Sequence, residues 1–202
     1  LQGLAFWKWS AIIIKAKILQ KRGTDIDMSL QKQKTALVGI VMGSDSDLEK
    51  MAEAAKVLAE FEVPFEITIS SAHRSPERTM VWTERIKAEG GKVIIAGAGR
   101  AAHLAGVIAA HTTLPVIGVP IDGGPLNGVD ALYATVQMPP GIPVGTMAIG
   151  SGGARNAGLF AVQILALQFP ELEAKLLAYK EKLSDGVAEK AARLQEFGYE
   201  NY

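Results

Sequence analysis

The residues that can move a proton or hold an anion gather in three short stretches: GSDSD from Gly43, SSAHRS from Ser70 and AGAGRAAH from Ala96. In SSAHRS, an imidazole, which titrates near neutral pH, stands beside a permanent cation, so His73 can give and take a proton while Arg74 grips a phosphate through its planar fork. In GSDSD, Ser44 and Ser46 offer hydroxyls, and backbone N–H groups at the start of a helix favour an anion. The two aspartates limit how much anion. A dinucleotide pyrophosphate calls for G-x-G-x-x-G and an ATP site for Lys after Gly, and this loop has neither. One phosphate fits, with sugar hydroxyls for a carboxylate to accept. The competing reading is that Asp45 or Asp47 caps the helix LEKMAEAAKVLAEF, since aspartate is a preferred N-cap. In AGAGRAAH, Gly97 and Gly99 let a ligand approach the backbone closely, and His103 follows at a helix start. His111, near a helix end where the dipole favours a cation, reads as structural. No pair of histidines has helical metal-ligand spacing with carboxylates, and cysteine is absent, so the expectation is no metal.

These stretches must be held by something regular. ALVGIVM, VPFEITIS, KVIIAGAG, LPVIGVP and IPVGTMAIG are short apolar runs, each followed by a helical stretch or a Gly-rich turn. Near-continuous apolarity is what strands buried on both faces require, and the spacing suits right-handed crossovers into a parallel sheet. The expected fold is a three-layer α/β/α sandwich of about five strands. In such a sheet the ligand lies beyond the carboxyl ends of the strands, where strand order reverses. An order 2-1-3-4-5 brings the three chemistry-bearing stretches, all post-strand loops, to one place. ARNAGLFAVQILALQ is apolar nearly all round and calls for cover on both sides, by a second subunit if the chain itself does not supply it. From Pro170 the chain is charged and helical, with Leu172, Leu176 and Leu177 placed to lie on a neighbouring surface.

Composition narrows the function classes. The 202 residues are 49% hydrophobic, with Lys plus Arg and Asp plus Glu both at 21, so no global field draws the chain to nucleic acid or an anionic membrane. The lack of cysteine removes disulfides and thiolate nucleophiles and fits a reducing cytosol. Near the start, LAFWKWSAIIIKAKIL is apolar and aromatic but broken by Lys8, Lys15 and Lys17. It meets neither the roughly 20 apolar residues of a spanning helix nor the uninterrupted core of a secretory leader. Met28 opens MSLQKQKTALVGIVM, a natural start just before the first strand. The expectation is an N-terminal extension over residues 1–34, dispensable to Asp27, and a single domain over 35–202.

Taken in order and spacing, GSDSD, SAHRSP, AGAGRAAHLAG, PVIGVP, GVDALYATVQMPPGIPVGT and AIGSGGARNAGL resemble the PurE family of purine biosynthesis, from about Ala36 to the end. The resemblance implies a flavodoxin-like fold, a cytoplasmic homo-octamer, no cofactor, and a mutase activity. In that activity a carboxylate moves from the exocyclic nitrogen to the ring carbon of aminoimidazole ribonucleotide. It further implies that Ser44, Ser46 and Arg74 hold the phosphate, that Asp47 accepts from ribose hydroxyls, and that Ser71, Gly99 and Ala101 border the imidazole. Leu104 would form an apolar wall, His73 would act as acid and then base, and His103 would support it.

Two positions depart from the mutase pattern: Arg100 stands where a small residue is expected, and Ala105 where proline is. Arginine at position 100 resembles a sister class that carboxylates the ribonucleotide directly with carbon dioxide, although that class lacks the histidine matching His103 and has lysine where Arg74 stands. Direct carboxylation is therefore the alternative. A phospho-receiver is excluded because AGAGR and AIGSG offer no aspartate after the third strand and no lysine after the fifth. A flavodoxin-like binding module is disfavoured by the aspartates of GSDSD, and the visible spectrum of the purified protein tests it.

Overall fold

A computed structural model describes residues 35–202. The expected extension therefore lies, but for its boundary, outside the described residues. Five strands, β1 (Val38–Met42), β2 (Phe65–Ile69), β3 (Val93–Gly99), β4 (Val116–Ile121) and β5 (Gly145–Thr146), form one sheet in the order β2-β1-β3-β4-β5. Every pairing is parallel. The order reverses between β1 and β3, as the α/β alternation implies. β1 and β4 are buried along their whole length, which explains their unbroken apolar sequence.

Helices cover both faces. On one side α1 (Leu48–Glu60) and α5 (Gly150–Ala166) pack together. Their axes come close because Gly158 has no side chain: a Cβ there would stand 2.9 Å from the Ala54 carbonyl oxygen. On the other side, α2 (Pro76–Ala88) and α3 (Leu104–His111) set Trp82, Ile86, Leu104 and Ile108 against Val41, Ile94 and Ala96 of the sheet. The short α4 (Val129–Val136) completes that side, with Thr135 lying over Gly118 of β4. Proline at the first position of α2 fixes the turn out of SSAHRS, since its missing N–H has no helical partner at that place. The edge strand β2 carries Glu66, which accepts from Trp82 Nε1 at 2.7 Å and pairs with Arg85, so its charge is engaged rather than presented to another sheet.

Two expectations change in detail. IPVGTMAIG yields a strand of two residues: Pro143 has no amide to donate to a ladder, and Gly150, at φ +77°, starts α5. The Met147 N–H still reaches the Gly118 carbonyl at 2.9 Å, the last trace of pairing. The helix α5 is buried on one face only, through Ala154, Ala157, Ala161, Val162 and Leu165, while Phe160 remains exposed. Cover on the second face does not come from the described residues.

The final helix, α6 (Pro170–Phe197), ends at Gly198, whose φ of +70° suits glycine. Its first half is fastened down. Leu172 is buried, Lys175 donates to the Phe61 carbonyl at 3.1 Å and pairs with Glu62, and the Tyr179 ring tilts against Phe61 at 5.7 Å. Leu176 is half-buried and Leu177 exposed. Beyond Tyr179 the helix presents Leu183, Val187, Leu194 and Phe197 to solvent. Among the described residues no helix is long and apolar enough to cross a membrane.

Candidate functional site

The loop after β1 is a tight helical turn rather than an open cradle. Ser44 has extended backbone, and its Oγ accepts from the Ser46 N–H at 3.4 Å, starting a single 3-10 turn over Asp45–Asp47 that runs directly into α1. The two aspartates separate here. Asp45 is exposed and accepts from Ser44 Oγ at 3.0 Å. Asp47 is buried at 8% exposure and accepts from Ser46 Oγ at 3.2 Å. Although Asp47 occupies the N-cap position of α1, its backbone is already helical and its side chain makes no capping bond. The capping reading fails for Asp47. Burial pushes its carboxyl above the usual carboxylate range, against the Ser46 hydroxyl, the Ser44 backbone and the nearby Lys50 charge, which all favour ionisation.

The loop after β2 is fixed by its own serines. Ser71 Oγ accepts from the Arg74 N–H at 3.1 Å, and the Ser71 N–H donates to Ser75 Oγ at 3.1 Å. Beneath them the buried Ser70 and Thr79 hydroxyls share a hydrogen bond at 2.8 Å. This mesh projects His73 and Arg74 from a rigid turn. Arg74 Nη2 reaches across to the Gly43 carbonyl at 3.0 Å and so braces the loop after β2 on the loop after β1.

The loop after β3 supplies the third wall. His103 stands at the N-cap position of α3, makes no side-chain cap bond, and is therefore free to point away from its helix. Its Nδ1 lies 2.8 Å from His73 Nε2, with the rings edge-on at 85°. That contact needs a lone pair on one of the two nitrogens, so at least one ring is neutral while it holds. His73 then has Nδ1 left for chemistry.

Together these loops enclose a cavity of about 550 Å³. Ser44, Ser46 and Asp47 line it from the first loop, Ser71, His73 and Arg74 from the second, and Gly99, Ala101, His103 and Leu104 from the third. Arg100 lines it too. His111, the last residue of α3, does not. Gly97, expected to let a ligand close to the backbone, does not either: a Cβ there would collide with Met51 Sδ, so its bareness makes room for the core.

Missed in the sequence were Ile121, Gly123 and Gly124, which close the fourth side from the loop after β4. Their signal was present, because DGG directly follows an apolar run, as the other three stretches do. Lys50 of α1 anchors this loop, with its ammonium 2.7 Å from Asp122 Oδ1 and 2.6 Å from the Asp122 carbonyl, and the pairing holds the Asp122 carboxyl below its ordinary range. Among the described residues no cluster of histidine and carboxylate side chains has the arrangement of a metal site.

The cavity thus has a hydroxyl-rich, helix-opening loop braced by a guanidinium at one side and a pair of linked imidazoles at the other. Such an arrangement can hold a small anionic molecule and exchange a proton with it. Comparison with known proteins gives the arrangement its relatives. A family model described as AIR carboxylase matches residues 37–186. The N5-carboxyaminoimidazole ribonucleotide mutase of Pyrococcus horikoshii is 55% identical over 171 residues, 85% of this chain and 96% of that protein. The phosphoribosylaminoimidazole carboxylase of Schizosaccharomyces pombe is 51% identical over 166 residues, 82% of this chain but 30% of that longer protein. Among solved structures, the crystal structure of Treponema denticola PurE superposes with a TM-score of 0.72 at 28% identity, covering 79% of this chain and 98% of that one. Because the family match runs through all four cavity-forming loops as well as the core, the chain belongs to the AIR carboxylase family.

Proposed function

We propose that this enzyme is a mutase of purine biosynthesis that converts 5-carboxyaminoimidazole ribonucleotide into 4-carboxy-5-aminoimidazole ribonucleotide. The observation that carries the reading is that the cavity pairs one phosphate-type loop, braced by Arg74, with a linked imidazole pair within reach of the same ligand. The name of the Pyrococcus relative agrees with it. In this reading Ser44, Ser46 and Arg74 hold the phosphate, Asp47 accepts from ribose hydroxyls, and Ser71, Gly99 and Ala101 border the imidazole against the apolar wall of Leu104.

Protonated His73 gives its proton to the exocyclic nitrogen, the N–C bond breaks, and carbon dioxide is released with the electron pair left on nitrogen. The nucleophilic ring carbon captures the carbon dioxide before it escapes, and neutral His73 takes the ring proton from that carbon. One group serves twice and is restored. His103 holds the His73 ring in place.

Direct carboxylation of the uncarboxylated ribonucleotide is the second reading, favoured by Arg100 on the cavity wall and by the name of the Schizosaccharomyces relative. Turnover of the carboxyamino ribonucleotide without added bicarbonate decides between them. Consumption of the uncarboxylated compound with bicarbonate alone, and no mutase turnover, would sink the first.

Asp47 ties the reading to pH. Its raised carboxyl pKa means that the folded state holds a proton more tightly than the unfolded chain does. The cost of the buried charge is full above the raised value and is relieved as pH falls through it towards the ordinary carboxylate range. Asp47→Asn is therefore expected to raise the urea midpoint at pH 7, with the gain shrinking on acidification, while KM rises about tenfold through loss of a charged acceptor. Lower stability at pH 7 or an unchanged KM would contradict this assignment.

The enzyme also works as a cytoplasmic homo-oligomer in this proposal, an octamer by family resemblance. The uncovered face of α5 at Phe160 and the apolar residues along the outer half of α6 are the surfaces that support it. Light scattering on the eluting protein is expected to give a mass several times that of one chain, and an active monomer would refute it.

A further inference from the structure

Arg100 is the residue of the cavity wall that the proposed chemistry leaves unused. Its backbone is left-handed at φ +54°, a region that few residues other than glycine, asparagine and aspartate enter, so the fold holds it there against its preference. The side chain runs towards the loop after β4: a Cβ on Gly124 would stand 3.3 Å from Arg100 Nε and 3.7 Å from its Cγ, and Gly124, itself at φ +86°, has none. The guanidinium thus lies along a strip of bare backbone. Both arginines line the cavity, but they are differently engaged. Arg74 is committed to the Gly43 carbonyl, whereas Arg100, exposed among the described residues, makes no hydrogen bond or ion pair there.

Position separates the two cations further. Arg74 follows β2 and Arg100 follows β3, with β1 between those strands. The two side chains therefore enter the cavity from different loops. Arg74 serves the phosphate loop. Arg100 stands between Gly99 and Ala101, on the wall that borders the imidazole in the reading above. The ligand of that reading is anionic at both of these ends, phosphate at one and carboxylate at the other.

We propose that Arg100 is the contact for the carboxylate of the bound ribonucleotide, a binding residue that complements Arg74. The proposal rests on the mutase reading for the identity of the ligand. A planar guanidinium meets a carboxylate through two parallel N–H donors, and its flexible stem lets it follow the group from the exocyclic nitrogen to the adjacent ring carbon. Because the contact exists before and after the transfer, it strengthens binding of substrate and product alike and leaves the barrier between them little changed. Its loss appears in KM.

The test uses the full chain with Arg100→Gly and Arg100→Lys. Glycine suits the left-handed backbone, so the first variant removes the side chain without a folding cost at that position; lysine keeps the charge but loses the fork. Calorimetry measures the affinity of 4-carboxy-5-aminoimidazole ribonucleotide and of the uncarboxylated ribonucleotide, and steady-state kinetics measures mutase turnover. For Arg100→Gly the expected result is a fivefold to tenfold loss in affinity for the carboxylated compound, on the order of a charge-assisted contact at an exposed site, and a matching rise in its KM. The uncarboxylated compound should bind within twofold of the parent, and Arg100→Lys should recover part of the loss. A loss below threefold overturns the proposal, and so does an equal loss for both ribonucleotides, which would assign Arg100 to the phosphate. The binding arm stands apart from the activity: a parent that lacks turnover yet shows the Arg100-dependent difference sinks the mutase reading and leaves the contact, and an active parent without the difference does the reverse.

Discussion

Replacing His73 with asparagine is expected to lower turnover by a factor on the order of 10² or more while ribonucleotide binding survives. The substitution is chosen for what it keeps. The asparagine amide is similar in size to the imidazole and can still hydrogen-bond to His103, whose Nδ1 lies 2.8 Å from the parent ring, so the SSAHRS turn keeps its place. That turn is held by Ser71, Ser75 and Thr79 rather than by His73, which is a second reason for the fold to persist. What asparagine cannot do is carry a proton between nitrogen and carbon. Ligand affinity and the single-turnover rate at one pH make the comparison. If the variant turns over within a few-fold of the parent, His73 positions the ligand and His103, linked to it, becomes the acid and base. The same measurement on His103→Asn completes the pair: a positioning role predicts a smaller fall, with a changed pH profile because His73 loses its fixed partner.

The strand order and the cavity were legible in the sequence for one physical reason. In a parallel sheet all the post-strand loops lie at one end, so residues far apart in the chain that each follow an apolar run are brought together by topology alone. GSDSD, SSAHRS and AGAGRAAH each follow such a run, and their residues share one cavity. Contact between particular side chains was not legible. His73 and His103 meet because His103 leaves its own helix uncapped and reaches across the end of β1, which depends on rotamers rather than on spacing. The different fates of Asp45 and Asp47 depend likewise on a single 3-10 turn that buries one and exposes the other. Ile121, Gly123 and Gly124 carry no titratable group, and a search led by chemistry passed over them although topology pointed to their loop. At α5 the apolar run implied cover on both sides, and the described residues supply it on one face only; periodicity alone does not tell which face that is.

Arg74→Ala should act in the opposite sense to His73→Asn, raising KM by roughly 10- to 100-fold with a smaller effect on the rate of bound substrate. Two losses combine in it. The first is the proposed phosphate contact, a charge-assisted bond at a site where the neighbouring Asp45 and Asp47 would otherwise repel a dianion. The second is the brace from Nη2 to the Gly43 carbonyl, which ties the phosphate loop to the turn carrying His73. Arg74→Lys separates them, because a lysine ammonium retains the positive charge but lacks the fork that serves the carbonyl and a phosphate at once. A lysine variant near the parent would place the weight on charge; one near the alanine variant would place it on the brace. Ionic strength gives an independent reading, since a phosphate drawn in by exposed charge is bound less well as salt is added. The parent KM should therefore rise with salt more steeply than that of Arg74→Ala. An alanine variant whose KM stays within threefold of the parent, with the same salt dependence, would remove Arg74 from the phosphate site and leave it as a brace between two loops.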